Sequence, residues 1–168
     1  MDRQSTGNSI LIVEDNPDDA ELAIIALKQR GIKASCRIAK DADEALLLAV
    51  GDTAPLPRGN HEVTAVAPTP PSLVLLDLKL PGRSGIEVLK GLRATPRTRY
   101  VPVVVLTTSV LEEDMIKSYE NGANSFIRKP VDFSTFLNQI DLICQYWLDT
   151  NLKPKSLLPQ GSANGRAP

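Results

Sequence analysis

Glu14, Asp15, Asp77, Thr107 and Lys129 all stand at the ends of short apolar runs. Ile10–Val13 leads into Glu14 and Asp15, Leu73–Leu76 into Asp77, and Val101–Leu106 into Thr107, while Phe126 and Ile127 come just ahead of Lys129. If the runs are buried parallel strands, these acids, the hydroxyl and the ammonium meet at one edge of one sheet. In an open α/β sheet that edge is where ligands bind. Carboxylates about 5 Å apart repel by roughly 3 kcal/mol at an effective dielectric near 20. Such a cluster needs a cation among the acids or a proton on one of them. Mg²⁺ suits it, because this ion takes one or two carboxylates, keeps water and completes its shell with phosphate oxygens. A carboxylate can also attack phosphorus to give an aspartyl phosphate. Lys129 then supplies a compact positive charge for phosphoryl oxygens and Thr107 a hydroxyl donor. Phosphorylation of Asp77 would add nearly two negative charges and draw Thr107 and Lys129 inward, turning a local charge into a moved surface.

The elements that must position these groups read as five β-then-α units. Strand one covers about 9–13. Asn16 caps the following helix with Pro17 at its first position, Asp19 favours the positive helix end, and Gly31 closes it. Strand two fits Ala34–Ile38 and the second helix Ala42–Val50. Strands LVLLD and VPVVVLTT lack apolar/polar alternation, as strands covered on both faces do. Ser84 with Glu87 and Ser109 with Glu112 read as capping boxes for helices three and four, the latter ending at Asn121-Gly122. Strand five is Ser125–Arg128. The last helix, about 132–150, places Phe133, Phe136, Leu137, Ile140, Ile143, Cys144 and Trp147 on one face. Short connections force right-handed crossovers and a doubly wound, five-stranded parallel α/β sheet, flavodoxin-like, in strand order 2-1-3-4-5.

Composition narrows the function classes. The chain has 168 residues and a formal net charge of −1, so no global field favours nucleic acid or an anionic membrane. No apolar stretch reaches the roughly 20 residues that span a bilayer, and the start lacks a secretory signal pattern. Cys36 and Cys144 read as a reduced pair of small core residues, consistent with the cytoplasm. His61 is the one histidine and falls in a proline-rich stretch, which disfavours histidine-based chemistry on this chain. Residues 1–7 read as an N-terminal tail, 8–150 as the domain, 51–71 as an exposed Pro-rich insertion and 151–168 as a C-terminal extension.

ILIVEDNPDD, LVLLDLKLPGRSG, VPVVVLTTS and NGANSFIRKP, in this order, resemble the receiver domain of two-component response regulators. Thr107 lies thirty residues after Asp77 and Lys129 twenty-two after Thr107. The resemblance covers about residues 8–150. It implies Asp77 as phosphoacceptor, Glu14 and Asp15 as the acidic pocket, and the Lys79 carbonyl as a further Mg²⁺ ligand, with Glu14 acting through water. It implies Thr107 and Lys129 as the phosphoryl-binding pair and Phe126 as the aromatic switch residue, for which simple packing of strand five is the plainer alternative. Two departures stand out. Lys79 could hang over the phosphoryl group, and Thr108 takes the place of a smaller residue, where it would crowd an attacking water and slow decay.

Only 18 residues follow position 150, so the expected output is the receiver's own surface. Leu142, Tyr146 and Leu148 fall off the core face of the last helix. With Trp147, Leu152, Leu157 and Leu158 they point to a homodimer through helix four, strand five, the last helix and the tail, or to a tail folded over its own domain. The Pro-rich insertion, the LTTS run and QYWLDTNLKP are similar to single-domain regulators that partner bacterial phytochromes, which implies a photosensory histidine kinase. Two alternatives stay in view: a Mg²⁺-dependent aspartate-nucleophile phosphatase of haloacid-dehalogenase type and a scaffold with a relic pocket. The former carries a second Asp two residues after its nucleophile, where this chain has Lys79.

Overall fold

In the computed structural model, residues 7–50 and 69–153 are described. His61, Leu157, Leu158, residues 51–68 of the Pro-rich insertion and nearly all of the C-terminal extension lie outside them. The chain alternates β1 (Ser9–Val13), α1 (Pro17–Gln29), β2 (Ser35–Ala39), α2 (Ala42–Val50), β3 (Leu73–Leu76), α3 (Gly85–Ala94), β4 (Val103–Thr107), α4 (Glu112–Glu120), β5 (Ser125–Arg128) and α5 (Phe133–Cys144). The strands pair in parallel in the order β2-β1-β3-β4-β5, as the short connections predict.

The unbroken apolar strands have a direct explanation. Leu11, Val13, Val74, Leu76, Val103 and Val105 enter the core layer shared with α2 and α3. Their alternates Ile10, Ile12, Leu73, Leu75, Val104 and Leu106 enter the layer shared with α1 and α5. Strand side chains alternate in direction, so a sheet covered on both faces buries every position. The three central strands are thus fixed rigidly, and the groups at their carboxyl ends inherit that rigidity.

Local signals held at some ends and failed at others. Asn16 caps α1 by accepting from the Asp18 and Asp19 amides at 2.9 and 3.4 Å, and Gly31 follows with φ of 66°. Ser84 does precede α3, but its side chain makes no capping bond. The second expected capping box is displaced. α4 starts at Glu112 with Leu111 as its cap residue, because the Ser109 hydroxyl donates to Asp114 and accepts from the Leu111 amide at 3.3 Å.

Further corrections concern the outer elements. Cys36 is exposed on the edge strand β2, whereas Cys144 is buried, and burial pushes its thiol up to about 12. Leu148 packs with Trp147 against the α1/α5 layer instead of facing outward, while Leu142 and Tyr146 are exposed as expected. The last helix keeps α geometry only to Cys144, and Gln145–Thr150 form a π-helical turn. Among the described residues, no helix is long and apolar enough to cross a membrane.

Candidate functional site

Sheet register brings the acids together. The Glu14 amide donates to the Ala39 carbonyl at 2.9 Å, and the Asp77 amide to the Val13 carbonyl at 3.0 Å. β1 and β3 therefore end level with each other. Glu14 and Asp77 are buried, Asp15 is exposed, and one carboxylate oxygen from each lies within 4.8 Å of the others. At an effective dielectric near 20, a pair at that 4.8 Å separation repels by about 3.5 kcal/mol.

One ammonium answers several of these charges. The Lys129 amide donates to the Thr107 carbonyl at 2.8 Å, which sets its side chain at the end of β5 facing the acids. Its Nζ donates to Glu14 Oε2, to Asp19 Oδ2 at 3.0 Å and to Asp77 Oδ2 at 3.1 Å. Burial works against this ammonium's charge but is outweighed by the Glu14, Asp77 and Asp19 carboxylates, which hold its pKa above the ordinary lysine range. Glu14 moves the other way. Loss of solvent raises its pKa, and Lys129 together with the Asn16 amide only partly offsets that effect.

The other Asp77 oxygen is held by neutral donors. Oδ1 accepts from Thr107 Oγ1 at 3.0 Å and from the Lys79 amide at 3.1 Å. Asp77 is thus fixed on both oxygens yet still lies at the sheet's open edge. A small cavity of about 20 Å³, roughly one water, adjoins it, lined in part by Glu14, Asp19, Asp77, Lys129 and Phe136.

A divalent cation fits this donor set. Three carboxylates converge, all hard oxygen donors, and among the described residues one ammonium, shared with Asp19, leaves an excess of negative charge. Glu14, Asp15 and Asp77 would hold such a cation, and its charge would free the Lys129 ammonium for an anion.

The structure brings Glu14, Asp15, Asp77, Thr107 and Lys129 to one place. Lys79 is exposed, with its amide turned to Asp77, and Thr108 is exposed beside Thr107. Phe126 sits a short way off, half-buried and packed against the α2/α3 layer. Sequence reasoning assigned Asp19 only to the helix dipole, yet its carboxylate reaches Lys129. Ser109, buried behind Thr107, was assigned to a cap it does not form.

Known proteins share this architecture. Residues 10–141 match the family model described as the response regulator receiver domain. Response regulator Rcp1 of Synechocystis is 34% identical over 155 residues, covering 91% of this chain and 97% of that protein. The probable methanogenesis regulatory protein FilR2 of Methanothrix harundinacea is 36% identical over 145 residues, 86% of either chain. Among solved structures, the phosphorylated cyanobacterial phytochrome response regulator RcpA superposes with a TM-score of 0.73 at 31% identity, covering 89% of this chain and 100% of its own. A structure of Rcp1 in its Mn²⁺-bound form gives 0.71 at 33% identity, covering 88% and 99%. This match decides against the haloacid-dehalogenase alternative, whose second Asp is Lys79 here. The chain belongs to the response regulator receiver domain family.

Proposed function

We propose that this protein is a single-domain response regulator that accepts a phosphoryl group on Asp77 from a partner histidine kinase. One observation carries the reading: Asp77 is fixed by Thr107 and Lys129 at the sheet edge where Glu14 and Asp15 converge. An Asp77 carboxylate oxygen forms the new bond to phosphorus as the bond from phosphorus to the kinase imidazole nitrogen breaks, and the imidazole leaves. Mg²⁺ held by Asp15, Asp77, the Lys79 carbonyl and, through water, Glu14 would neutralise the carboxylates and gather phosphoryl oxygens. Lys129 shifts from the carboxylates to the phosphoryl oxygens, and Thr107 donates to one of them. Catalysis is limited to the protein's own phosphorylation and dephosphorylation. Phe126, half-buried and in register with Val105 two residues before Thr107, is assigned the switch.

Similarity to Rcp1 and RcpA, the latter described as a phytochrome response regulator, supports a bacterial phytochrome as the kinase and the cytoplasm as the place of action. The exposed Leu111, Ile116 and Tyr119 of the α4 region, with Leu142 and Tyr146 beyond them, support a homodimer through α4, β5, α5 and the tail. No nucleic-acid or membrane partner is assigned. The test is phosphotransfer from a phosphorylated phytochrome kinase and from acetyl phosphate. The reading expects an alkali-labile phosphate that needs Mg²⁺ and disappears in Asp77→Asn. Label retained in that variant would overturn it.

A further inference from the structure

Asp19 is a carboxylate that the proposed chemistry does not use, although it shares the ammonium that the chemistry needs. Lys129 Nζ has three N–H groups, and three carboxylates take them: Glu14, Asp77 at 3.1 Å and Asp19 at 3.0 Å. Glu14 and Asp77 belong to the trio whose oxygens converge with those of Asp15, and Asp19 stands outside that trio. It does line the small cavity beside Asp77, together with Glu14 and Lys129.

The start of α1 puts it there. Only Glu14, Asp15 and Asn16 separate β1 from α1, so the first turn of the helix lies at the sheet's open edge. Pro17 takes the first helical position and Asn16 Oδ1 accepts from the Asp19 amide at 3.4 Å, which fixes the backbone of that turn. Side chains on a helix lean toward its amino end, so Asp19 leans back toward the end of the sheet and meets Lys129. Asp18, one residue earlier, is exposed and is not among the Lys129 partners.

The charges do not cancel. Glu14, Asp15 and Asp77 carry three negative charges, which a divalent cation and the Lys129 ammonium together would balance. Asp19 adds a fourth. The side chain of Lys129 is 12% exposed, so water does little to screen the pair on that side. One extra negative charge acts with opposite sign on the two ligands: it attracts a cation, repels an anion and occupies one of the ammonium's donors. We propose that Asp19 sets this pocket's preference for the divalent cation over free anions, as a positioning residue that holds one Lys129 N–H. The proposal rests on the phosphoryl-acceptor reading of Asp77. It makes the metal-free pocket a poor trap for free phosphate and leaves phosphoryl uptake conditional on the cation.

The test measures both affinities on the full chain. Mg²⁺ affinity is read by calorimetry on metal-free protein. Anion affinity is read at saturating Mg²⁺, from the bound-fluoride signals in ¹⁹F NMR as beryllofluoride is titrated. Asp19→Asn keeps an acceptor oxygen and removes the charge. It is expected to weaken Mg²⁺ binding by roughly threefold to tenfold and to lower the half-saturating beryllofluoride concentration by a similar factor. Asp19→Ala removes the acceptor as well and is expected to move both affinities in the same two directions. It puts the better helix former at a half-buried helical position, so it keeps the test open should Asp19→Asn fold poorly. Asp18→Asn removes the same charge one residue away, in solvent, and is expected to leave both affinities within about twofold of wild type. A residue that merely supports the fold would weaken both ligands together. That outcome, unchanged affinities in both Asp19 variants, or equal shifts in Asp18→Asn would overturn the proposal. Absence of bound fluoride in the wild type would instead overturn the reading of Asp77.

Discussion

Replacing Lys129 with Met removes the ammonium that faces Glu14, Asp19 and Asp77 and keeps the side chain's volume. The side chain is only 12% exposed, so solvent does little to replace its charge. The carboxylates then face each other with pairwise repulsion of about 3.5 kcal/mol across 4.8 Å. Proton uptake caps the cost. Neutralising a carboxyl of ordinary value 4.5 near pH 7 takes about 3.4 kcal/mol, so a loss of about 3 kcal/mol is expected there. Near pH 5.5 the same proton costs about 1.4 kcal/mol, so the loss should shrink by roughly half. For a domain of this size, 3 kcal/mol corresponds to a Tm lowered by roughly 6–12 °C. Mg²⁺ should recover much of it, because a cation that binds only the folded site stabilises by mass action. Urea titrations of both proteins at the two pH values, with and without Mg²⁺, give the numbers. A Lys129→Met protein within about 0.5 kcal/mol of wild type, or a loss indifferent to pH and Mg²⁺, would refute the reasoning.

Other predictions address neighbouring residues. Because burial raises the pKa of Glu14, the metal-free fold gains from its protonation below 4.5 and loses that gain as pH rises through the higher folded value. Calorimetric Mg²⁺ titrations should accordingly weaken on acidification from above 4.5, and Glu14→Gln should flatten that dependence. Thr108→Ala should shorten the phosphoryl lifetime by opening a path for water, read as the decay rate after removal of the phosphodonor; an unchanged rate would count against the crowding role. A Cβ at Gly85 would collide with the Asp77 carbonyl oxygen and lie 2.8 Å from Leu78 Cα, both backbone atoms. Gly85→Ala should cost about 1–3 kcal/mol in thermal or urea unfolding and weaken phosphorylation by displacing the Asp77 turn.

Much of this molecule was legible because its strands are covered on both faces. Continuous apolar runs such as Leu73–Leu76 have one comfortable environment, and their polar neighbours must emerge at its edge. β1, β5 and α2 fall on the expected residues. Reading failed where tertiary partners decide. Ser109 and Glu112 have capping-box spacing, but a carboxylate at Asp114 and the Thr107 hydroxyl compete for the serine. Cys36 lies in an edge strand that is exposed at most of its positions, a fact of sheet order invisible in SCRIA itself. Arg93 reads as an ordinary basic residue near a helix end; only the folded chain gathers the carbonyls of Val101 and Gly122 around it. Asp19 is brought to Lys129 by the packing of the first turn of α1 against the end of β5, which its place beside a helix start does not reveal.

The most direct measurement locates the phosphate. Protein treated with acetyl phosphate and Mg²⁺ is reduced with borohydride, which converts an acyl phosphate to an alcohol, and the marked position is read by peptide mass spectrometry. Reduction at Asp77, suppressed by chelation of the metal, is the predicted result. A mark at any other carboxylate, or phosphate held in a bond that borohydride leaves intact, would contradict the account.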